Sequence, residues 1–310
     1  MNEIISVVVV TFNCENTIIE TLNSIRCQDY GSSNLKLVIS DDFSTDNTID
    51  IIKNWIDNYG FVFNDVKLLI STVNVGVSAN CNHAWKSVDT LWVKSIGGDD
   101  LLRSNCISSF VLYKNTHKES VAIFSRMQWF GYVSKVVPEK YDLPFFEMNA
   151  KDQHEYLKFK SFNLAPTSFL NTRVLAEVGY ADERFRNIED LPLWLRITKQ
   201  GYKLSLNNEI TVDYRVADSI SKNSQRYVNE SFLNDLINID KMHSFTELNG
   251  LYPKLLKLDM LILLNGKRAI KKITNNKKGN LSKILDVIHF MVRPVYFFVK
   301  MKKIYINKFH

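Results

Sequence analysis

Four valines in succession, Val7, Val8, Val9 and Val10, constrain the fold of this chain more than any other feature. A β-branched run without polar alternation suits a strand buried on both faces, and such strands belong to parallel sheets covered by helices. The strand is expected over residues 6–13, ending in Thr11 and Asn13. A helix should follow, because Ile18, Leu22 and Ile25 recur at helical spacing. Further strands are expected over 35–40, 66–71 and 91–96. Between the second and third, a helix carries Ile49, Ile52 and Ile56 on one side, is capped by Asp46 or Ser44, and stops at Gly60. Strands alternating with helices imply right-handed crossovers and a mostly parallel sheet. Ligands of such sheets bind beyond the carboxyl ends of the strands. Thr11, Asp42, Asp99 and Asp100 all fall there.

The strand ends carry the chemistry. Residues 95–102 run Ser-Ile-Gly-Gly-Asp-Asp-Leu-Leu, two adjacent carboxylates straight out of an apolar strand. Oxygen ligands of this kind suit Mg²⁺ or Mn²⁺, which keep water and share substrate phosphates. Glycines 97 and 98 let the backbone approach a diphosphate. Farther on, Glu189 and Asp190 stand at the start of a helix that has Pro192 in its first turn, Leu193, Trp194 and Ile197 on an apolar face, and Gly201 as its stop. Asp190 is either a helix cap or a carboxylate available for proton transfer. Between residues 125 and 172, Tyr132, Tyr141, Phe145, Phe146, Tyr156 and Phe159 mark an aromatic insertion whose rings either face a sugar or fill the core. Residues 163–168 lead from it into a helix ending near Gly179.

Five short motifs then stand in one order: Val10-Thr11-Phe12-Asn13, Asp41-Asp42-Phe43-Ser44-Thr45-Asp46, Asn74-Val75-Gly76, Gly98-Asp99-Asp100, and Glu189-Asp190 with Leu193 and Arg196. This set resembles the family-2 glycosyltransferases with the GT-A fold, which assemble polysaccharides from nucleotide-sugars, and it covers about the first 220 residues. The resemblance implies an inverting transferase with a Rossmann-like α/β sheet flanked by helices. It assigns the donor to Thr11, Asn13, Asp42, Asn74, Asp99 and Arg215, with Asp42 on the uracil or ribose. It assigns Mn²⁺ or Mg²⁺ to Asp100, with Asp99 beside it, and the general base to Asp190, with Glu189 second. Two departures stand out. The family often has an aspartate where this chain has Gly97 and Gly98, which leaves weak metal dependence as an alternative. The His that follows the Arg in the family is absent, with Ala217 and Asp218 near its place.

Charge divides the chain. Residues 251–310 hold fourteen Lys and Arg against two Asp, a net of +12, so the first 250 residues carry −6. The expected organisation is a GT-A catalytic domain over 1–225, with a nucleotide-sugar part (1–103) and an acceptor part (104–225), and a C-terminal basic helical extension over 226–310. The apolar runs at 255–264 and 284–298 are too interrupted by charge to span a bilayer, and a basic helix with aromatic residues suits an anionic membrane surface. The alternative is that these helices pack on the catalytic domain with their lysines in solvent. The apolar opening at 4–10 follows Glu3 and reads as a strand, not a signal peptide. Cys14, Cys27, Cys81 and Cys106 make no C-x-x-C pair, so neither zinc nor a disulfide framework is indicated, and a reducing cytoplasm fits. A nucleic-acid partner is not expected, because the basic tail has no reading motif. The expectation is thus transfer from a nucleotide-sugar, a UDP-sugar by the resemblance, to a lipid-linked saccharide in surface polysaccharide (O-antigen or lipopolysaccharide) assembly, by a protein peripheral on the cytoplasmic face. The alternatives are transfer to a polyprenyl phosphate itself and a non-catalytic nucleotide-sugar-binding subunit.

Overall fold

The structure, a computed structural model, describes residues 2–158, 164–216, 226–244, 251–293 and 295–296. The chain divides into two compact units, Met1–Leu157 with Phe162–Val216, and Lys158–Ser161 with Ala217–His310. The domain boundary expected after residue 225 falls on residues outside the described ones, as do Ala217, Asp218 and Phe159.

The first unit contains nine strands: β1 (Ile5–Thr11), β2 (Leu35–Asp41), β3 (Asp65–Ile70), β4 (Trp92–Gly97), β5 (Leu101–Leu102), β6 (Ala122–Gly131), β7 (Lys135–Val137), β8 (Phe169–Asn171) and β9 (Leu204–Val216). Its helices are α1 (Ile18–Arg26), α2 (Thr48–Tyr59), α3 (Val77–Lys86), α4 (Cys106–Thr116), α5 (Pro144–Glu147), α6 (Ala150–Leu157), α7 (Thr172–Glu177) and α8 (Asp190–Lys199). All nine strands join one sheet, ordered β3-β2-β1-β4-β8-β6-β9-β5, with β7 on β6. The first four pair in parallel, as the apolar runs require. Beyond β4 the sheet is mixed: β8 is antiparallel to β4 and β6, β9 is parallel to β6, and β5 closes antiparallel on β9. The core follows the valine run, with Val7, Val8 and Val9 fully buried among Leu22, Ile25, Leu37 and Ile39.

Several local expectations shift. In α2 the buried residues are Thr48, Ile52 and Trp55, while Ile49 and Ile56 are half-buried. The Asp46 carboxylate accepts the Thr48 N–H at 3.0 Å, and Ser44 does not cap. Gly60 has φ −59° and opens a 3-10 turn, so it does not stop the chain through a left-handed conformation. β4 contains a charge: Leu91 lies outside it, exposed, and Lys94 inside it is fully buried. In the aromatic insertion Phe145 and Phe146 are core residues, Phe146 lying against Phe124, whereas Tyr132 is exposed. Before Gly179 the chain forms β8 and then the six-residue α7.

The second unit contains α9 (Glu230–Ile239), α10 (Leu251–Ile273) and α11 (Asn280–Met291). Leu233 and Ile237 of α9 pack with Leu264 of α10.

Candidate active site

Register brings the ends of three strands together. Thr11 stands beside Asp41, and Val10 beside Gly97. The Thr11 hydroxyl donates to Asp41 Oδ2 at 2.8 Å, and Ser44 donates its N–H and its hydroxyl to the same carboxylate at 2.7 and 2.6 Å. Asp41 is fully buried and thereby ties the ends of β1 and β2. Asp42 is turned the other way. Its carboxylate accepts the N–H groups of Val75 and Gly76 at 2.7 and 2.8 Å, and its carbonyl accepts from Asn74 Nδ2 at 3.1 Å. A carboxylate offers about four acceptor sites, so Asp42 keeps capacity for a further donor. Asn13, with φ 53°, donates its N–H to Ser44 Oγ and accepts the Thr45 N–H, joining the loops after β1 and β2. Asn74 accepts from the Arg186 guanidinium through its side chain and carbonyl. Gly76 has φ +94° and lies so close to Arg186 that a Cβ would stand 2.7 Å from its carbonyl oxygen.

Asp99 and Asp100 form the turn between β4 and β5, and the pairing of β5 with β9 sets Arg215 against them. The Arg215 N–H donates to Asp100 Oδ1 at 2.8 Å. Its Nε donates to the Asp99 carbonyl at 2.9 Å, and its terminal nitrogen pairs with Glu20 at 2.6 Å. From α1 the hydroxyls of Thr17 and Thr21 hold the carbonyls of Gly98 and Asp100 at 2.9 and 2.8 Å. Asp100 is buried, and burial first, then the charge of Asp99, pushes its carboxyl well above the ordinary range. Asp99 keeps an exposed edge, yet loss of surrounding water raises its carboxyl, against the pull of a backbone hydrogen bond and of Arg215. An ideal Cβ on Gly97 would lie 2.9 Å from Asp99 Oδ1 and 3.9 Å from Asp100 Oδ2, so both carboxylates flank the space that this glycine leaves.

Among the described residues no group of three His, Cys, Asp or Glu side chains is arranged to hold a metal ion. Two adjacent carboxylates of raised proton affinity, at a glycine-lined gap, nevertheless fit Mg²⁺ or Mn²⁺ completed by phosphate and water. A cation there reverses the rise in both groups.

Glu189 and Asp190 sit together at the start of α8. Asp190 is the first residue of the helix, not its cap, and its Oδ1 accepts the next N–H, that of Leu191, at 2.7 Å. Loss of surrounding water pushes Asp190 up to about 6. The same effect, with the Asp190 charge added, pushes Glu189 up to about 8. Near neutrality one carboxyl of the pair is ionised and the other protonated, the separation expected of an acid and a base sharing one environment. The segment before them is fastened to α3. Asn82 exchanges two hydrogen bonds with Ala181 at 2.8 and 3.0 Å, and Ser78 donates to the Phe185 carbonyl at 2.5 Å. Next along α3, the buried Cys81 thiol is raised by burial and then by the charges of Glu189, Asp190 and Asp42. Cys81 of α3 thus lies within electrostatic reach of Glu189, Asp190 and Asp42 alike. Arg196 spans the carbonyls of Pro192, Val178 and Tyr180 and acts as a strut.

Four groups escaped the sequence reading. Asn80 joins Ser40 Oγ at 2.6 Å, the Ser40 carbonyl at 3.1 Å and the Thr11 carbonyl at 3.4 Å, stitching β1 to β2 from α3. Lys94 donates to the carbonyls of Ser95 and Pro166 at 2.7 and 2.5 Å, and burial lowers it to about 8. Phe12 and Phe43 are exposed aromatics in the loops after β1 and β2, and Phe43 adopts φ 64°. The signal for Asn80 was available in the polar side chains at alternate positions of α3, Ser78, Asn80 and Asn82, all of which the structure buries. For Lys94 there was none, because a single Lys in a strand ordinarily lies at an edge or points to solvent.

Residues 6–177 match the family model described as glycosyl transferase family 2. The UDP-Glc:alpha-D-GlcNAc-diphosphoundecaprenol beta-1,3-glucosyltransferase WfaP of Escherichia coli is 26% identical over 226 residues, 71% of this chain and 81% of that protein. The structure of residues 1–349 of TarS from S. aureus, in complex with UDP-GlcNAc, superposes with a TM-score of 0.61 at 19% identity, covering 83% of this chain and 71% of that one. This chain spans only 37% of the whole TarS. The mannosyltransferase PcManGT from Pyrobaculum calidifontis, in complex with GDP-Man and Mn²⁺, superposes with a TM-score of 0.60 at 14% identity, covering 98% and 85% of the two chains. These structural likenesses establish a GT-A-like α/β fold.

Proposed function

The chain belongs to glycosyl transferase family 2, and from that premise we propose that it transfers a sugar from a UDP-sugar to a lipid-linked saccharide, with inversion, at the cytoplasmic face of a membrane. The observation that carries this reading is the carboxyl pair Glu189 and Asp190, which acts on the buried Cys81 of α3, as Asp42 does, and is separated in proton affinity across neutral pH. Asp190 is the base. It takes the proton of the acceptor hydroxyl as that oxygen attacks the anomeric carbon. The bond from that carbon to the diphosphate breaks, its electron pair leaves with the nucleotide, and the anomeric configuration inverts. Protonated Glu189 keeps a second negative charge away from Asp190 at neutral pH.

On the donor side, Asp42 accepts a uracil or ribose donor, while Asn13 and Asn74 shape the loops that bound it, with Thr11 at the head of β1. Phe12 and Phe43 offer aromatic faces to the base. Asp99 and Arg215 flank the diphosphate. Asp100, with Asp99 beside it, would hold a divalent cation, which would supply Lewis-acid neutralisation of the leaving phosphate. The lipid-linked acceptor rests on the names of relatives: WfaP acts, by its name, on a diphosphoundecaprenol-linked sugar. The UDP-sugar rests on that name and on the UDP-GlcNAc bound to TarS.

The test is nucleotide release from a panel of UDP-, GDP- and dTDP-sugars, with diphosphoundecaprenol-linked GlcNAc as acceptor and Mn²⁺, Mg²⁺ or EDTA present. Release from a UDP-sugar that depends on the acceptor and falls at least about tenfold in EDTA is the expected result. Nucleotide binding without release from any donor would overturn the transferase reading in favour of a binding subunit.

A further inference from the structure

The second unit contains a helix that is inside out for a protein in water. Along α11 and the two residues that follow it, the polar Ser282 and Arg293 are buried and His289 is half-buried, whereas Leu281, Ile284, Val287, Ile288, Met291 and Val292 are each 53–70% exposed. At 3.6 residues per turn these six apolar side chains share an arc of about 140°. The inward face is specific. His289 Nε2 bonds the Ile262 carbonyl at 2.8 Å, and Arg293 forks onto Asp259 at 3.0 and 2.7 Å. Gly266 of α10 lies so close to the His289 ring that no side chain fits there. The apolar arc is therefore fixed outward by a built polar seam. On α10, Leu251, Leu255 and Leu258 are also exposed.

Charge identifies what covers this face. The only two acids of residues 251–310, Asp259 and Asp286, face inward, Asp259 onto Arg293 and Asp286 onto the Tyr227 hydroxyl at 2.5 Å. Lys277, Lys278 and Lys283 are exposed around the start of α11. A second copy of the chain would set +12 against +12. Among the described residues no helix is long and apolar enough to cross a membrane, so the fitting geometry is a helix lying in the plane of the interface.

We propose that the exposed face of α11, with the exposed leucines of α10, docks on a bilayer surface rich in anionic lipid. The inference rests on the proposed function only for its purpose, which is to bring the site to a lipid-linked acceptor. The test is flotation of the full chain with phosphatidylcholine vesicles, with and without phosphatidylglycerol, for the native protein and the double variant Ile284→Glu with Ile288→Glu. Both positions are exposed, so the variant should fold. The native chain should bind the anionic vesicles at least about tenfold more tightly than neutral ones, and the variant should lose at least about tenfold. Nucleotide release measured without vesicles should be the same in both proteins. Equal flotation of native and variant would overturn the docking surface. So would a native dimer, dispersed by the variant, that ignores the vesicles. Flotation as expected with no nucleotide release from either protein would support the surface while overturning the transferase reading.

Discussion

At the scale of single residues the site is governed by which carboxylates are satisfied and which are not. The Asp41 carboxylate accepts three hydrogen bonds, from Thr11 and Ser44, whereas that of Asp42 accepts two, from the backbone of Val75 and Gly76, and keeps room for a further donor. Glu189 is the more informative case. Its folded proton affinity, about 8, lies above the ordinary 4.5. The folded chain therefore holds a proton that the unfolded chain has lost, and the resulting stability is full below pH 4.5 and is lost as pH rises through 8. Glu189→Gln removes this loss. Thermal unfolding at pH 9 should show the variant melting about 2–4 °C above the native chain, with similar melting near pH 4. Phe43 is a bulky residue in the left-handed region, a conformation costing about 1–2 kcal/mol. Phe43→Gly should raise stability by about 1 kcal/mol in urea unfolding and weaken UDP binding about tenfold in calorimetry, since a stacked base is worth about 1–3 kcal/mol. Of these residues the sequence displayed the carboxylates, because Asp at a strand end is conspicuous. It did not display the division of labour between Asp41 and Asp42, which depends on side-chain direction, or the backbone strain at Phe43.

At the scale of elements, α3 organises the site. It packs on β1 and β2, and its Ser78, Asn80 and Asn82 bond outward to the strand ends and to the segment bearing Glu189 and Asp190. Asn80→Ala leaves the buried Ser40 hydroxyl without the acceptor it has at Asn80 and should cost about 2 kcal/mol in chemical denaturation, with a parallel loss of nucleotide affinity. The strands that could be read from sequence are those dominated by apolar residues, β1, β2, β3 and β4, although Lys36, Lys67 and Lys94 stand in three of them. β6 and β9 were not legible, because Ser125, Arg126 and Gln128 in one and Asn207, Asn208 and Glu209 in the other break any period. β8 is only three residues long. Lys94 made β4 harder to place, since its buried ammonium is compensated by carbonyls far along the chain. The helix that carries Asp190 was legible from Pro192 and Gly201, and it begins at Asp190, where the sequence placed its start.

At the scale of the whole molecule, charge is sorted along the chain. The first 250 residues carry −6, yet the reading gives them an anionic donor, so Arg215 and a divalent cation must supply positive charge locally. The basic residues gather instead in the last sixty, where the proposed partner is an anionic surface. The fold class and the order of the motifs were legible because both are written in local sequence. The mixed far half of the sheet and the outward-facing apolar arc of α11 were not, because each depends on which face a neighbouring element covers. The account stands or falls on Asp190 as the base. Its most direct test is kcat for transfer from a UDP-sugar to a diphosphoundecaprenol-linked acceptor, in the native chain and in Asp190→Asn, between pH 5 and pH 8. The native rate should climb tenfold per pH unit below about 6 and then level. The variant should lose about a hundred- to ten-thousand-fold in kcat with donor KM little changed. A variant that retains kcat within about threefold of the native chain, with the same pH profile, would contradict the account, since a general base is worth at least about a hundredfold.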